Sequence, residues 1–267
     1  MSASTRNSQG FIAGALIGAL GGLIGLGGAE FRLPVLVGLF RLGALQAIIL
    51  NKAMSLVVVS AALLFRGGVI SPAALMDHLH VALNLLAGSL MGAWWAAGRA
   101  IQLSRQWLNR IILALLIGLS VVMLSEAWIG LHAASTPLIS AGPLRLAAGL
   151  IAGLGIGMVA ALLGVAGGEL LIPTIVLLYG LDIKLAGSLS LMVSLPTMIV
   201  GFARYSRANA FQVLQEEKAL LAWMTGGSIL GAAIGSALLG AIPTNWLMGL
   251  LGVVLLISAV KTFQHAR

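Results

Sequence analysis

Long apolar stretches, separated by short polar connections, follow one another along most of the chain. Each stretch reaches the length of about 20 residues that an α-helix needs to cross a bilayer. Because four of them lie in each half of the sequence, the pattern predicts an all-α polytopic membrane protein with about eight transmembrane segments. The stretches span residues 11–41, 43–65, 79–101, 108–131, 144–180, 183–203, 218–241 and 245–263.

The two halves repeat each other at a fixed offset of 139 residues. The run GLGGAE at residues 25–30 recurs as GVAGGE at residues 164–169, and a proline follows four residues later in each half. We therefore predict two homologous four-segment repeats, at residues 11–126 and 150–265, joined by a connecting segment at residues 127–149.

The first stretch of each repeat is too long for one straight crossing. Residues 11–41 number 31, and a helix of that length reaches about 46 Å, against a hydrocarbon core of about 30 Å. The glycine run supplies a backbone that can break the helix, and Pro34 removes a backbone donor. Because unwound backbone at membrane depth must face protein or a water-filled cavity, we expect both breaks to face one central cavity. Helix N-termini at these breaks would attract an anion there.

Composition excludes a soluble protein. Hydrophobic residues make up 60% of the chain and charged residues 8%, with a mean hydropathy of +1.09, whereas soluble domains carry about 25% charged residues. The net charge of +8 comes mostly from Lys and Arg at the ends of apolar stretches, so we expect a lipid bilayer and no nucleic acid as partner. The absence of cysteine excludes disulfides and thiolate metal sites.

The distribution of Lys and Arg favours cytoplasmic termini. In an arrangement of eight simple crossings, eight of these residues share the side of both termini and five lie opposite. The eight are Arg6, Arg66, Arg145, Arg204, Arg207, Lys218, Lys261 and Arg267, and the five are Arg41, Arg99, Arg105, Arg110 and Lys184.

The repeated glycine run, followed on the next helix by a second short run, resembles the TauE/SafE sulfite exporter family. The second run reads AGSLSL at residues 186–191, and its first-half partner reads AIILNK at residues 47–52. The resemblance extends over nearly the whole chain. It implies a multi-pass protein of the bacterial inner membrane that moves small oxyanions such as sulfite or organosulfonates, linked to an ion gradient.

Two acids depart from the pattern of that family. Glu30 and Glu169 stand where the family usually has an apolar residue. Burial favours the protonated form of a carboxyl group, so each acid could carry a proton. Each could equally bind a cation. A structural alternative is that each braces a helix start by accepting hydrogen bonds from backbone N–H groups. We expect Lys52, or alternatively Arg32, to neutralise Glu30. Leucines hold both corresponding positions in the second half. Glu169 is therefore expected to lack such a cationic partner and to be the residue that takes up and releases the proton.

The candidate substrate ligands lie at the breaks and on the helix that follows each break. Glycines would offer backbone N–H groups, and polar side chains at equivalent positions of the two halves would add donors. Hydroxyl groups in membrane helices also commonly bond backbone carbonyls of their own or a neighbouring helix. The candidate set is Gly27, Gly28, Asn51, Lys52, Gly167, Gly168 and Ser190.

Several alternatives remain open at this stage. A cation or metal-ion transporter that uses the paired glutamates is the second functional interpretation. An intramembrane enzyme with a Ser/His pair would need a histidine in the core of a predicted segment, and none lies there, so we expect no enzymatic activity and no cofactor. The repeats are parallel if each makes four crossings, and inverted if each contains a re-entrant hairpin. Further glycine pairs suit close helix packing within the chain or a homodimer.

Overall fold

A computed structural model describes residues 3–68, 70–99, 117–118, 120–121, 124–125, 127–128, 137–163, 166–205 and 210–265. Regular structure in these ranges is helical throughout, which confirms the all-α prediction there. Six of the described helices are long and apolar enough to cross a membrane; most of the stretch predicted at 108–131 lies outside the described residues. The helices are α1 (Ala3–Ile24), α2 (Ala29–Gly38), α3 (Ala44–Arg66), α4 (Pro72–Asp77), α5 (Leu79–Arg99), α6 (Pro143–Leu163), α7 (Gly168–Tyr179), α8 (Ile183–Tyr205), α9 (Ala210–Glu216), α10 (Lys218–Leu238) and α11 (Thr244–His265).

The helix bounds follow the sequence offset of 139 residues. Helix α3 covers residues 44–66 and α8 covers residues 183–205, so both ends differ by the same offset. The same holds for α5 and α10, which cover residues 79–99 and 218–238. This correspondence supports two repeats, whose boundaries at residues 11–126, 127–149 and 150–265 stay a prediction.

The first glycine run turns the chain back on itself. A Cβ atom added at Gly28 would lie 3.0 Å from the carbonyl oxygen of Ile17, in the middle of α1. Gly10, near the start of α1, lies beside the ring of Phe40, just after α2, at 3.9 Å from an added Cβ. Helix α2 therefore folds back along α1, and this reversal accommodates the excess length of residues 11–41.

The second half makes the same hairpin. A Cβ at Gly167, before α7, would lie 3.2 Å from the side chain of Ile156 and 3.3 Å from Ala160, both in α6. At the other end, Gly149 of α6 lies against the hydroxyl group of Tyr179, the last residue of α7. Helix α7 thus folds back along α6.

Glycine stripes join the two halves. A Cβ added at these glycines would overlap a backbone carbonyl oxygen of the partner helix, so the helices pack backbone to backbone. This confirms close packing within the chain as a use of the glycine pairs; a homodimer stays a prediction. The glycines are Gly14, Gly18 and Gly22 on α1 against α10, Gly227, Gly231 and Gly235 on α10 against α1, Gly88 and Gly92 on α5 against α6, and Gly153 and Gly157 on α6 against α5.

The order of these contacts gives the helix directions. Gly14 meets Met224 and Gly22 meets Ala232, so α1 and α10 run parallel; α5 and α6 run parallel by the same test. Arg66 at the end of α3 contacts the end of α1, so these two helices also share a direction. Helix α5 returns after the short α4, as closely connected helices do. Helix α6 therefore runs opposite to α1.

Candidate functional site

Both helix breaks depend on glycine. The residues at the turns have positive φ values, a region that side chains with a Cβ atom rarely adopt. In the second break, residues 164–165 lie outside the described part of the chain. The values are 95° at Gly25, 77° at Gly27, 72° at Gly28 and 76° at Gly167.

The two breaks touch each other across the interface between the halves. A Cβ at Gly168 would lie 3.2 Å from the Cα atom of Leu26 and 3.4 Å from the carbonyl oxygen of Gly25. A Cβ at Gly27 would lie 4.0 Å from the Cβ of Ala166. The structure therefore brings Gly27, Gly167 and Gly168 of the candidate set together by direct contact of the two breaks. A shared cavity and a role of these glycines in substrate binding stay predictions.

Two short helices begin at this junction. Helix α2 starts after Gly28 and α7 after Gly167, and neither N-cap residue supplies a side-chain hydrogen bond. Backbone N–H groups in the first turn of a helix carry a partial positive charge. The junction thus combines two helix starts of a kind that attracts anions.

Arg32, in the first turns of α2, is a central side chain of the first break. It is fully buried, at 0% exposure. Its guanidinium donates to the hydroxyl of Ser55 at 2.8 Å, to Oδ1 of Asn51 at 3.3 Å and to the carbonyl of Gly27 at 3.3 Å. Asn51 in turn donates to the carbonyl of Ala29 at 3.0 Å. This network fixes a cationic group beside the break.

Ser190 braces the same break from the other half. Its hydroxyl lies 2.9 Å from the carbonyl of Gly25 and 2.9 Å from that of Gly187, and donates to them. The equivalent polar positions Asn51 and Ser190 therefore both bond backbone carbonyls at the first break, of Ala29 at the start of α2 and of Gly25 in the turn. Their role as substrate ligands stays a prediction, because these contacts give each of them a structural role.

The charged candidates Lys52 and Glu169 are also buried, at 5% and 7% exposure. Glu169 lies in the first turn of α7, where the helix dipole favours a negative charge. Both residues have interaction partners. Which of the two glutamates titrates stays a prediction. Glu30 is the second residue of α2, and its side chain lies outside the described structure.

Arg66 is a buried residue that the sequence analysis missed. It is 1% exposed and donates to the carbonyls of Gly22 at 2.8 Å, Leu23 at 3.0 Å and Lys184 at 2.6 Å, and to the hydroxyl of Ser188 at 2.9 Å. It therefore ties the end of α1 to the start of α8. The sequence placed Arg66 in a loop, because a basic residue at the end of an apolar stretch is the usual mark of a membrane boundary.

The buried charges are unevenly divided between the halves. The buried cations Arg32, Lys52 and Arg66 all belong to the first half, and Glu169 is the buried acid among the described residues. Among the described side chains, buried cations therefore outnumber buried acids. The second-half equivalents of the three cations are Leu171, Leu191 and Tyr205.

These features are those of a multi-pass membrane protein whose broken helices meet beside the buried guanidinium of Arg32. Residues 2–123 match the protein-family model described as Sulfite exporter TauE/SafE. The match confirms the resemblance to this family over that part of the chain, which contains the first break and the three buried cations. No curated protein matches the chain, and no solved structure matches it.

Proposed function

We propose that the protein is a secondary transporter of small oxyanions, with sulfite or an organosulfonate as substrate. The observation that carries this proposal is the fully buried Arg32, held by hydrogen bonds at the point where the two breaks meet. A planar guanidinium suits the oxygens of such anions. The match of residues 2–123 to the sulfite exporter family adds independent support.

The helix directions support inverted repeats. Helices α1 and α6 occupy equivalent positions and run in opposite directions, and each is followed by a hairpin back along itself. A re-entrant hairpin makes the number of passages in each repeat odd, which inverts the second repeat. Sites at the interface of inverted repeats are open to alternating access by rocking of one repeat against the other.

The hairpins also change which basic residues lie on each side of the membrane. Because α2 returns the chain to its starting side, Arg41 and Arg99 lie on the side of the termini, whereas Arg145 and Lys184 lie opposite and Arg66 is buried. The recount still favours cytoplasmic termini, more strongly than eight simple crossings do. We propose this orientation in a bacterial inner membrane. By helix position, the terminal side holds Arg6, Arg41, Arg99, Arg204, Lys218 and Lys261.

We further propose that Glu169 couples transport to protons. It is a buried carboxylate in the first turn of a broken helix, a position where an intramembrane acid commonly serves ion coupling. Transport by Glu169→Gln should lose its dependence on an imposed pH gradient. Gradient-dependent transport that survives in Glu169→Gln would contradict this role.

The buried charges do not favour the alternative of a cation or metal-ion transporter. The buried guanidinium of Arg32 beside the first break would repel a positive substrate at the junction. Among the described residues, no group of three His, Cys, Asp or Glu side chains is placed to hold a metal ion.

Thermal unfolding of the detergent-purified protein with candidate ligands tests the proposal. A ligand that binds the folded state raises the unfolding temperature by mass action. We expect stabilisation by sulfite or an organosulfonate, absent in Arg32→Gln, and none by matched mono- and divalent cations. Stabilisation by cations alone would overturn the proposal and restore the alternative.

A further inference from the structure

Three serine hydroxyls are buried without a hydrogen-bond partner in the described part of the chain: Ser194, Ser228 and Ser236. A buried hydroxyl in this state is destabilising, so each needs a physical explanation. Ser228 and Ser236 belong to α10, and the backbone of Ser228 is packed against Gly18 of α1. Ser194 belongs to α8.

Ser194 faces the helix breaks. It lies on the same face of α8 as Gly187 and Ser190, seven residues after Gly187 and four after Ser190. Both of these residues contact Gly25 of the first break. The side chain of Ser194 is 1% exposed. Its hydroxyl is therefore buried on the surface of α8 that meets the first break.

The second break lies on the same side. Leu191 and Met198 flank Ser194 at three and four residues, on the same helical face. Both belong to one buried cluster with Ala166, which precedes the N-terminus of α7. By helical spacing, Ser194 therefore lies on the face of α8 whose neighbouring residues contact the first break and cluster with the residue before α7.

The equivalent residue in the first half shows what such a hydroxyl does when a charge is present. Ser55 accepts a hydrogen bond from Arg32 at 2.8 Å. The residue equivalent to Arg32 in the second half is Leu171, which can donate nothing. The serine is thus present in both halves of the repeat, as Ser55 and Ser194. The cationic donor that Ser55 bonds has no equivalent beside Ser194.

We propose that Ser194 is a substrate-binding residue, whose hydroxyl donates a hydrogen bond to an oxygen of the bound oxyanion at the start of α7. This inference rests on the proposed function and assigns it a ligand from the second half. The charge of the anion is balanced by Arg32 from the first half. A sulfite or sulfonate group has several acceptor oxygens, so one anion contacts both halves at once.

Binding of sodium sulfite to the full-length, detergent-purified protein tests the assignment, with Ser194→Ala compared against Ser228→Ala. The two variants remove the same kind of buried, unpartnered hydroxyl from two different helices, α8 and α10. We expect Ser194→Ala to weaken sulfite binding at least about tenfold, as loss of one hydrogen bond to a charged group does, and Ser228→Ala to bind as the wild type. Ser194→Cys, with a weaker donor of similar size, should fall between wild type and Ser194→Ala.

The outcomes separate the two proposals. Wild-type binding that is unchanged in Ser194→Ala overturns the role of Ser194 and leaves the proposed function intact. An equal loss in Ser228→Ala also overturns it, because the effect is then not local to the breaks. Failure of the wild type to bind sulfite or any organosulfonate refutes the proposed function, and the assignment of Ser194 with it. If Ser194→Ala does not fold, full-affinity binding by Ser194→Cys would contradict the assignment.

Discussion

Neighbouring glycines on α10 provide a sharp test of the packing between the two halves. Gly227 lies against the backbone of α1: an added Cβ would overlap the carbonyl oxygen of Phe11 and lie 3.0 Å from the amide nitrogen of Ala15. At Gly226, one residue earlier, nothing lies within 4 Å of an added Cβ. Gly226→Ala and Gly227→Ala therefore make the same chemical change on the same helix. The added methyl group meets open space at position 226 and the backbone of α1 at position 227.

The structure sets the expected size of the difference. Replacing glycine by alanine inside a helix stabilises it by about 0.5–1 kcal/mol, a gain that both variants share. Only Gly227→Ala must also push two backbones apart, and overpacking of this kind costs about 1–3 kcal/mol. Gly226→Ala should therefore be slightly more stable than the wild type, and Gly227→Ala less stable than Gly226→Ala by about 1–3 kcal/mol.

Thermal unfolding of both variants in one detergent, followed by tryptophan fluorescence, measures this difference. Equal unfolding temperatures for the two variants would refute the parallel packing of α1 on α10. Light scattering of the same samples adds a second readout. A change in oligomeric mass in Gly227→Ala, without loss of stability, would instead assign this surface to a homodimer.

Two further predictions concern the arginines outside the break. Arg66→Met should destabilise the protein by about 3 kcal/mol, because hydrogen bonds from a charged donor contribute about 1.5–3 kcal/mol each without being additive. The same assay measures this loss. A loss of stability below about 1 kcal/mol, as expected of an exposed pair, would contradict the role of Arg66 in tying α1 to α8. Arg6→Ala breaks an ion pair with Glu217 at 2.8 Å whose side chains are 35% and 17% exposed. It should change stability by less than about 1 kcal/mol, and a larger loss would show that this contact holds α1 in place.

The sequence predicted the breaks because glycine has local consequences. A run with several glycines and a proline can be identified as a break without knowing its surroundings, and the structure places the positive φ values at Gly25, Gly27, Gly28 and Gly167. The length of the first stretch also showed that one straight crossing was impossible. Neither feature gives the direction in which α2 leaves the break, so parallel and inverted repeats could not be separated.

Long-range contacts account for what the sequence missed. Arg66 looks like any basic residue at a membrane boundary, and only the approach of α1 and α8 makes it a buried donor. Asn51 and Ser190 were chosen as ligands because they are polar and equivalent, but their partners are backbone carbonyls at the first break, whose shape the sequence does not encode. The orientation count depended on the hairpins in the same way, since Arg41 changes sides when α2 folds back.

The most direct test of the central proposal is sulfite flux into proteoliposomes that contain the purified protein, measured beside the same vesicles with Arg32→Lys. The lysine keeps the positive charge but loses the planar fork that donates to Ser55, Asn51 and Gly27. We predict protein-dependent sulfite or organosulfonate flux in the wild type that falls at least about tenfold in Arg32→Lys, the loss expected for one hydrogen bond to a charged group. Flux of a cation in place of these anions, or oxyanion flux that Arg32→Lys leaves unchanged, would contradict an oxyanion site at the junction of the two breaks.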